Sequence, residues 1–62
     1  MKFCIGEGVL LKGLGNFDGQ PHAYVLGQLG MDYRHSICVR LRSGSDVAVN
    51  EDQLEHMTKL VD

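Results

Sequence analysis

Residues 36 to 50 constrain the fold more than any other stretch of the chain. Ser36-Ile37-Cys38-Val39-Arg40-Leu41-Arg42 sets apolar side chains at every second position. Ser43-Gly44-Ser45 breaks the run, and Asp46-Val47-Ala48-Val49-Asn50 resumes it. A period of two belongs to a half-buried strand, and a short glycine-containing break between two such strands belongs to a hairpin. With Gly44 at the centre of a three-residue loop, Leu41 faces Val47, Val39 faces Val49, Arg40 faces Ala48 and Arg42 faces Asp46. Ile37, Val39, Leu41, Val47 and Val49 then share the inner face, and an Arg42–Asp46 pair lies outside. Such an exposed ion pair fixes register more than it adds stability.

A hairpin needs further strands to bury its inner face, and the chain has only 62 residues to provide them. That is one domain at most. Surface scaling gives a folded area of roughly 4,000 Å² against about 10,000 Å² unfolded. If about 60% of the buried area is apolar, burial contributes on the order of 90 kcal/mol, and ordering the chain costs about the same. A lone monomer is marginal, and self-association is expected. At 44% hydrophobic and 23% charged residues the chain is nonetheless too apolar to stay disordered.

Upstream, Gly8-Val9-Leu10-Leu11-Lys12 and His22-Ala23-Tyr24-Val25-Leu26 are apolar runs of strand length bounded by glycines and Pro21. The segment between them, Gly13 to Pro21, is rich in residues that tolerate turn conformations and reads as a long loop. Met31 to His35 forms a second, shorter connection. After the hairpin, Asn50 and Gln53 have capping-box spacing, with Glu51 and Asp52 suited to a helix N-terminus. Leu54, Met57 and Leu60 recur at helical spacing, which predicts a C-terminal helix of up to ten residues. Its apolar stripe either plugs a barrel end or meets another chain, so these three residues are the expected oligomer interface, most simply in a two-fold dimer.

Four or five short antiparallel strands are too few for two sheets and describe a small barrel. The layout resembles the SH3-like barrel superfamily, including Tudor and KOW modules. The likeness covers about residues 6 to 57: Gly8-Val9, a long loop, Ala23-Tyr24-Val25, Val39-Arg40-Leu41, the turn at Ser43-Gly44-Ser45, Val47-Ala48-Val49, and Asp52-Gln53-Leu54 as the closing turn. The resemblance implies a mainly β, SH3-like domain spanning residues 1–62. It further implies that aromatics on the first long loop and nearby strands line a ligand groove. Phe17, Tyr24 and Tyr33 are the candidates for that partner-binding role.

Other chemistry is thinly represented. Gly13, Gly15 and Gly19 match neither a dinucleotide fingerprint nor a phosphate-binding loop, and no helix pattern follows them. His22, His35 and His56 with Cys4 and Cys38 lack paired metal-ligand spacing, and the two cysteines are expected as free thiols. No catalytic signature, cofactor motif, secretory leader or membrane-length apolar run is present, so the expectation is a non-enzymatic, cytoplasmic chain without cofactor. Residues 1 to 45 hold five basic and three acidic side chains, net +2, and residues 46 to 62 hold one basic and five acidic, net −4. The acidic end repels phosphates, so a nucleic-acid role would fall to Arg34, Arg40 and Arg42.

Two shorter resemblances mark what such a fold can host. Val47-Ala48-Val49 is similar to the last strand of the carbon storage regulator family of RNA-binding dimers, but Asn50, Glu51 and Asp52 stand where that family continues with a basic, RNA-contacting residue. The plasmid-borne type II dihydrofolate reductases are tetrameric SH3-like barrels with a Val-Gln-Ile-Tyr pore strand, against which this chain carries Ala48 and Asn50 at the Gln and Tyr positions. The expected function is therefore a self-associating protein-interaction module of bacterial, phage or mobile-element type, ahead of a weak RNA- or DNA-binding barrel and an oligomeric reductase.

Overall fold

The structure is a computed structural model and describes residues 3–28 and 36–57. Five strands form one antiparallel sheet: β1 (Gly8–Leu11), β2 (Ala23–Gln28), β3 (Ser36–Leu41), β4 (Asp46–Asn50) and β5 (Leu54–His56), in the spatial order β4-β3-β2-β1-β5. The mainly β expectation stands, while the closed barrel does not: β4 and β5 are the two ends of an open sheet among the described residues. The solvent-accessible surface is 4295 Å², close to the value that length alone predicts.

One face of the sheet carries the core. Val9, Ala23, Val25, Ile37, Val39 and Leu54 are all at or below 4% exposed, and Phe3 joins them ahead of β1. Leu11, Leu41, Val47 and Val49 line the rim of this cluster. The alternation read from the sequence produces this face directly, since successive side chains of a strand point to opposite sides. Leu10 is also buried, but alternation puts it on the opposite face of β1 from Val9.

The hairpin forms with a register two residues away from the expected one. Arg40 pairs with Asp46, Val39 with Val47, Cys38 with Ala48 and Ile37 with Val49. The reason is the place of Gly44. Gly44 N–H donates to Leu41 O at 2.8 Å and Leu41 N–H donates to Ser45 O at 2.8 Å, with Gly44 at φ +100°. The loop is thus Arg42-Ser43-Gly44, a tight turn whose last residue adopts the left-handed conformation, the usual form of a three-residue hairpin. Glycine is needed at the third position of that loop, and not at its centre. A slip of two keeps every side chain on its own face, so the valines stay inside and only the cross-strand partners change.

The C-terminal helix is absent from the described residues. Asn50 and Gln53 do form the capping box: Asn50 N–H donates to Gln53 Oε1 at 3.0 Å, and Asn50 Oδ1 accepts from Asp52 N–H at 2.9 Å. The box caps only a 3-10 turn, Glu51–Gln53, after which the chain becomes β5. Leu54 pairs with Leu11, Glu55 with Leu10 and His56 with Val9, and Lys12 N–H donates to Gln53 O at 2.9 Å. The open edge of β1 offers a ladder to these residues, and that outweighs a helical repeat only three apolar residues long.

Candidate interaction surface

The face opposite the core is crossed by the row Gly8–Tyr24–Arg40–Asp46, one residue from each of β1 to β4. Gly8 lies beneath an apolar cover. A Cβ built there would meet Pro21 Cβ at 3.0 Å and Tyr24 Cε1 at 3.4 Å. The Tyr24 ring thus stands over β1 against Pro21 and is 46% exposed.

Arg40 closes the row with a two-pronged contact to Asp46, Nε to Oδ1 at 2.8 Å and Nη2 to Oδ2 at 3.1 Å. Those hydrogen bonds hold the Asp46 carboxyl below its ordinary range and raise the Arg40 guanidinium. This pair corrects the expected Arg42–Asp46 contact, and it follows from the register. Arg42, sitting in the loop, turns instead to the long β1–β2 connection. Its Nη1 donates to Asp18 Oδ2 at 3.0 Å, its Nε to Pro21 O at 3.0 Å, and its Nη2 to Gln20 O at 3.2 Å. Asp18 Oδ1 also accepts from Gln20 N–H at 3.0 Å, and this bond, followed by Arg42, lowers the Asp18 carboxyl.

Arg42 therefore pins residues 18 to 21 to the β3–β4 turn, and the pinned loop presents Phe17. Phe17 is 94% exposed. Its ring lies across Gly15, where a Cβ would come within 2.7 Å of two ring carbons. Leu14, 56% exposed on the same loop, extends the apolar tip. Ile5, 73% exposed, stands before β1. Leu14 and Ile5 were not distinguishable in the sequence from core leucines and isoleucines, because nothing in their spacing separates the two environments.

The remaining candidates divide between those occupied elsewhere and those outside the described residues. His22 Nδ1 accepts from Leu11 N–H at 2.9 Å. His56 Nδ1 lies 2.5 Å from Glu7 Oε2, and its ring stacks on Phe3 at 4.3 Å. Glu7 in turn accepts from Cys4 N–H at 2.9 Å, and that bond, with His56, lowers its carboxyl. Cys4 and Cys38 are free thiols. Leu54 is buried in the core, which removes it from the expected oligomer stripe, and Met57 is half-buried just beyond β5. Tyr33, Arg34 and Leu60 lie outside the described residues. Among the described residues no helix is long and apolar enough to cross a membrane.

No family model matches the chain, and no curated protein or solved structure matches it either.

Proposed function

We propose that this chain is a non-catalytic protein-interaction module of SH3-like topology that recognises its partner through Phe17 and Tyr24. The observation that carries the reading is Phe17: an aromatic ring 94% exposed on a loop held in place by four separate contacts from Arg42. A large apolar side chain displayed on a braced loop is the arrangement that loses least conformational entropy on binding a protein surface. Aromatic side chains are also the commonest anchors of such interfaces. The SH3-like reading is supported by the strand order β4-β3-β2-β1-β5, the long β1–β2 loop and the 3-10 turn before the last strand.

The nucleic-acid reading is weaker because both described arginines of the expected stripe already engage carboxylates, Arg40 with Asp46 and Arg42 with Asp18. A phosphate would have to displace an internal partner at each. The test is capture of binding proteins from a host lysate by the immobilised chain and by a Phe17→Ala, Tyr24→Ala variant, followed by affinity measurements on what is captured. The aromatic variant is expected to keep its fold and lose the partner. If it binds normally, and an Arg40→Ala, Arg42→Ala variant instead loses binding with a flatter salt dependence, the contact is to phosphates and the protein-interaction reading falls.

A further inference from the structure

We propose that β4 is the edge through which two copies of this chain join, antiparallel about a two-fold axis at Ala48, so that their sheets run into one. This rests on the self-association expected of so small a core and names the surface that carries it, the backbone edge of β4 rather than the side chains of Phe17 and Tyr24.

The backbone sets the geometry. Leu41 and Ser45 form a hydrogen-bonded pair at the start of the β3–β4 ladder. In an antiparallel ladder such pairs alternate, so Val47 and Val49 bond to β3 while Asp46, Ala48 and Asn50 direct their N–H and C=O groups away from it. The Asn50 N–H does point outward, since it meets Gln53 Oε1. The capping box thereby covers one end of the edge and leaves the groups of Asp46 and Ala48 facing outward.

β4 guards this edge only at its ends, where the Asp46 charge is already paired with Arg40 and Gln53 holds the Asn50 N–H. Asp46–Asn50 holds no proline, no lysine and no bulge, the devices that usually keep a terminal strand from pairing. Its sequence is instead nearly symmetric about its centre: polar, valine, alanine, valine, polar. Antiparallel pairing about Ala48 puts Ala48 across from Ala48 of the second copy, where the two exchange their outward N–H and C=O groups, Val47 across from Val49, and Asp46 across from the neutral Asn50, whose C=O accepts from Asp46 N–H while its own N–H stays with Gln53. Parallel in-register pairing would set Asp46 beside Asp46, a like-charge contact that selects against it. The inner side agrees. Val47 and Val49 are only half-buried while their β3 partners Val39 and Ile37 are at 0% and 1% exposure, so the core ends at β4 on an open valine rim. A second copy continues that rim with the same two valines, and a two-fold contact closes where a head-to-tail one would propagate.

Sedimentation velocity at micromolar concentration and upward tests the proposal on the wild-type chain, beside Ala48→Pro. Proline removes an N–H that makes no bond among the described residues and blocks the edge. The wild type is expected to sediment as a dimer and the variant as a monomer with an unchanged circular dichroism spectrum. A second measurement does not depend on the proline being tolerated. Ala48→Cys, in a background carrying Cys4→Ser and Cys38→Ser because Cys38 lies across from position 48, should form a disulfide-linked dimer under mild oxidation. Ser43→Cys in the same background serves as the exposed reference, and Ala48→Cys should cross-link at least tenfold faster. A wild type that stays monomeric overturns both self-association and this edge. A wild-type dimer that persists in Ala48→Pro, or cross-linking at position 48 no faster than at position 43, leaves self-association standing and overturns the edge. A monomer whose β4 amides become protected only when another protein is added assigns the edge to a foreign strand and likewise overturns the proposal.

Discussion

Gly15 shows how one backbone dihedral serves the candidate site. It sits at φ +77°, and the Phe17 ring occupies the space that a Cβ would need. Gly15→Ala combines two penalties: a left-handed conformation that an L-residue adopts at a cost of about 1–2 kcal/mol, and a clash that moves the ring. The expected outcome is a lower urea midpoint together with weaker partner binding. Phe17→Ala should weaken binding with little change in midpoint, since an exposed ring contributes little to the core. Equal stability of Gly15→Ala and wild type would mean that the loop reorganises freely and does not hold Phe17. The aromatic itself was legible in the sequence as a loop residue. The brace was not, because Arg42 and Asp18 are separated by most of two strands, and their meeting depends on a hairpin register that a single glycine decides.

At the scale of elements, the strands were legible where the apolar period was two, and the errors fell where two local signals competed. Inward faces survived the register slip because a shift of two preserves parity, whereas the charge partners depended on where within the loop the left-handed residue falls. Gly44→Ala tests this placement. With φ +100° at that position and nothing crowding a Cβ there, the substitution should cost about 1 kcal/mol through backbone conformation alone. Ser43→Ala should be nearly neutral. Chemical denaturation separates the two, and a loop centred on Gly44 would not reproduce that order. The C-terminal element is the clearer lesson. Asn50 and Gln53 form their capping box as the sequence indicates, yet Leu54 to His56 pair with β1. A cap specifies how a helical turn starts, and the length that follows depends on which partner the chain meets next. Replacing Asn50 with Ala should therefore weaken the approach to β5 and destabilise the fold by about 1 kcal/mol, the usual value of a lost N-cap.

For the molecule as a whole, the carboxylates held below their ordinary range lie at three separate closures: Glu7 where the N-terminal segment meets β5, Asp18 where the long loop meets the β3–β4 turn, and Asp46 across the hairpin. All three shifts have the same sign, so their effects on stability accumulate. A carboxyl whose folded value is depressed binds fewer protons in the folded state than in the unfolded one. Its contribution is complete above its ordinary value, 4.5 for Glu7 and 3.8 for the two aspartates, and is lost as the pH falls from there through the lowered folded values. With a small core and a folding balance near zero, the chain has little else to offset that loss. The melting temperature is therefore expected to fall as the pH is lowered below about 4.5, the three carboxylates adding to one loss. Glu7→Gln retains an acceptor for Cys4 N–H but carries no charge, and it should lower stability at neutral pH while making the acid limb shallower. A melting temperature that stays level through the acid range, or a Glu7→Gln variant with an unchanged limb, would show that these carboxylates do not hold the closures together.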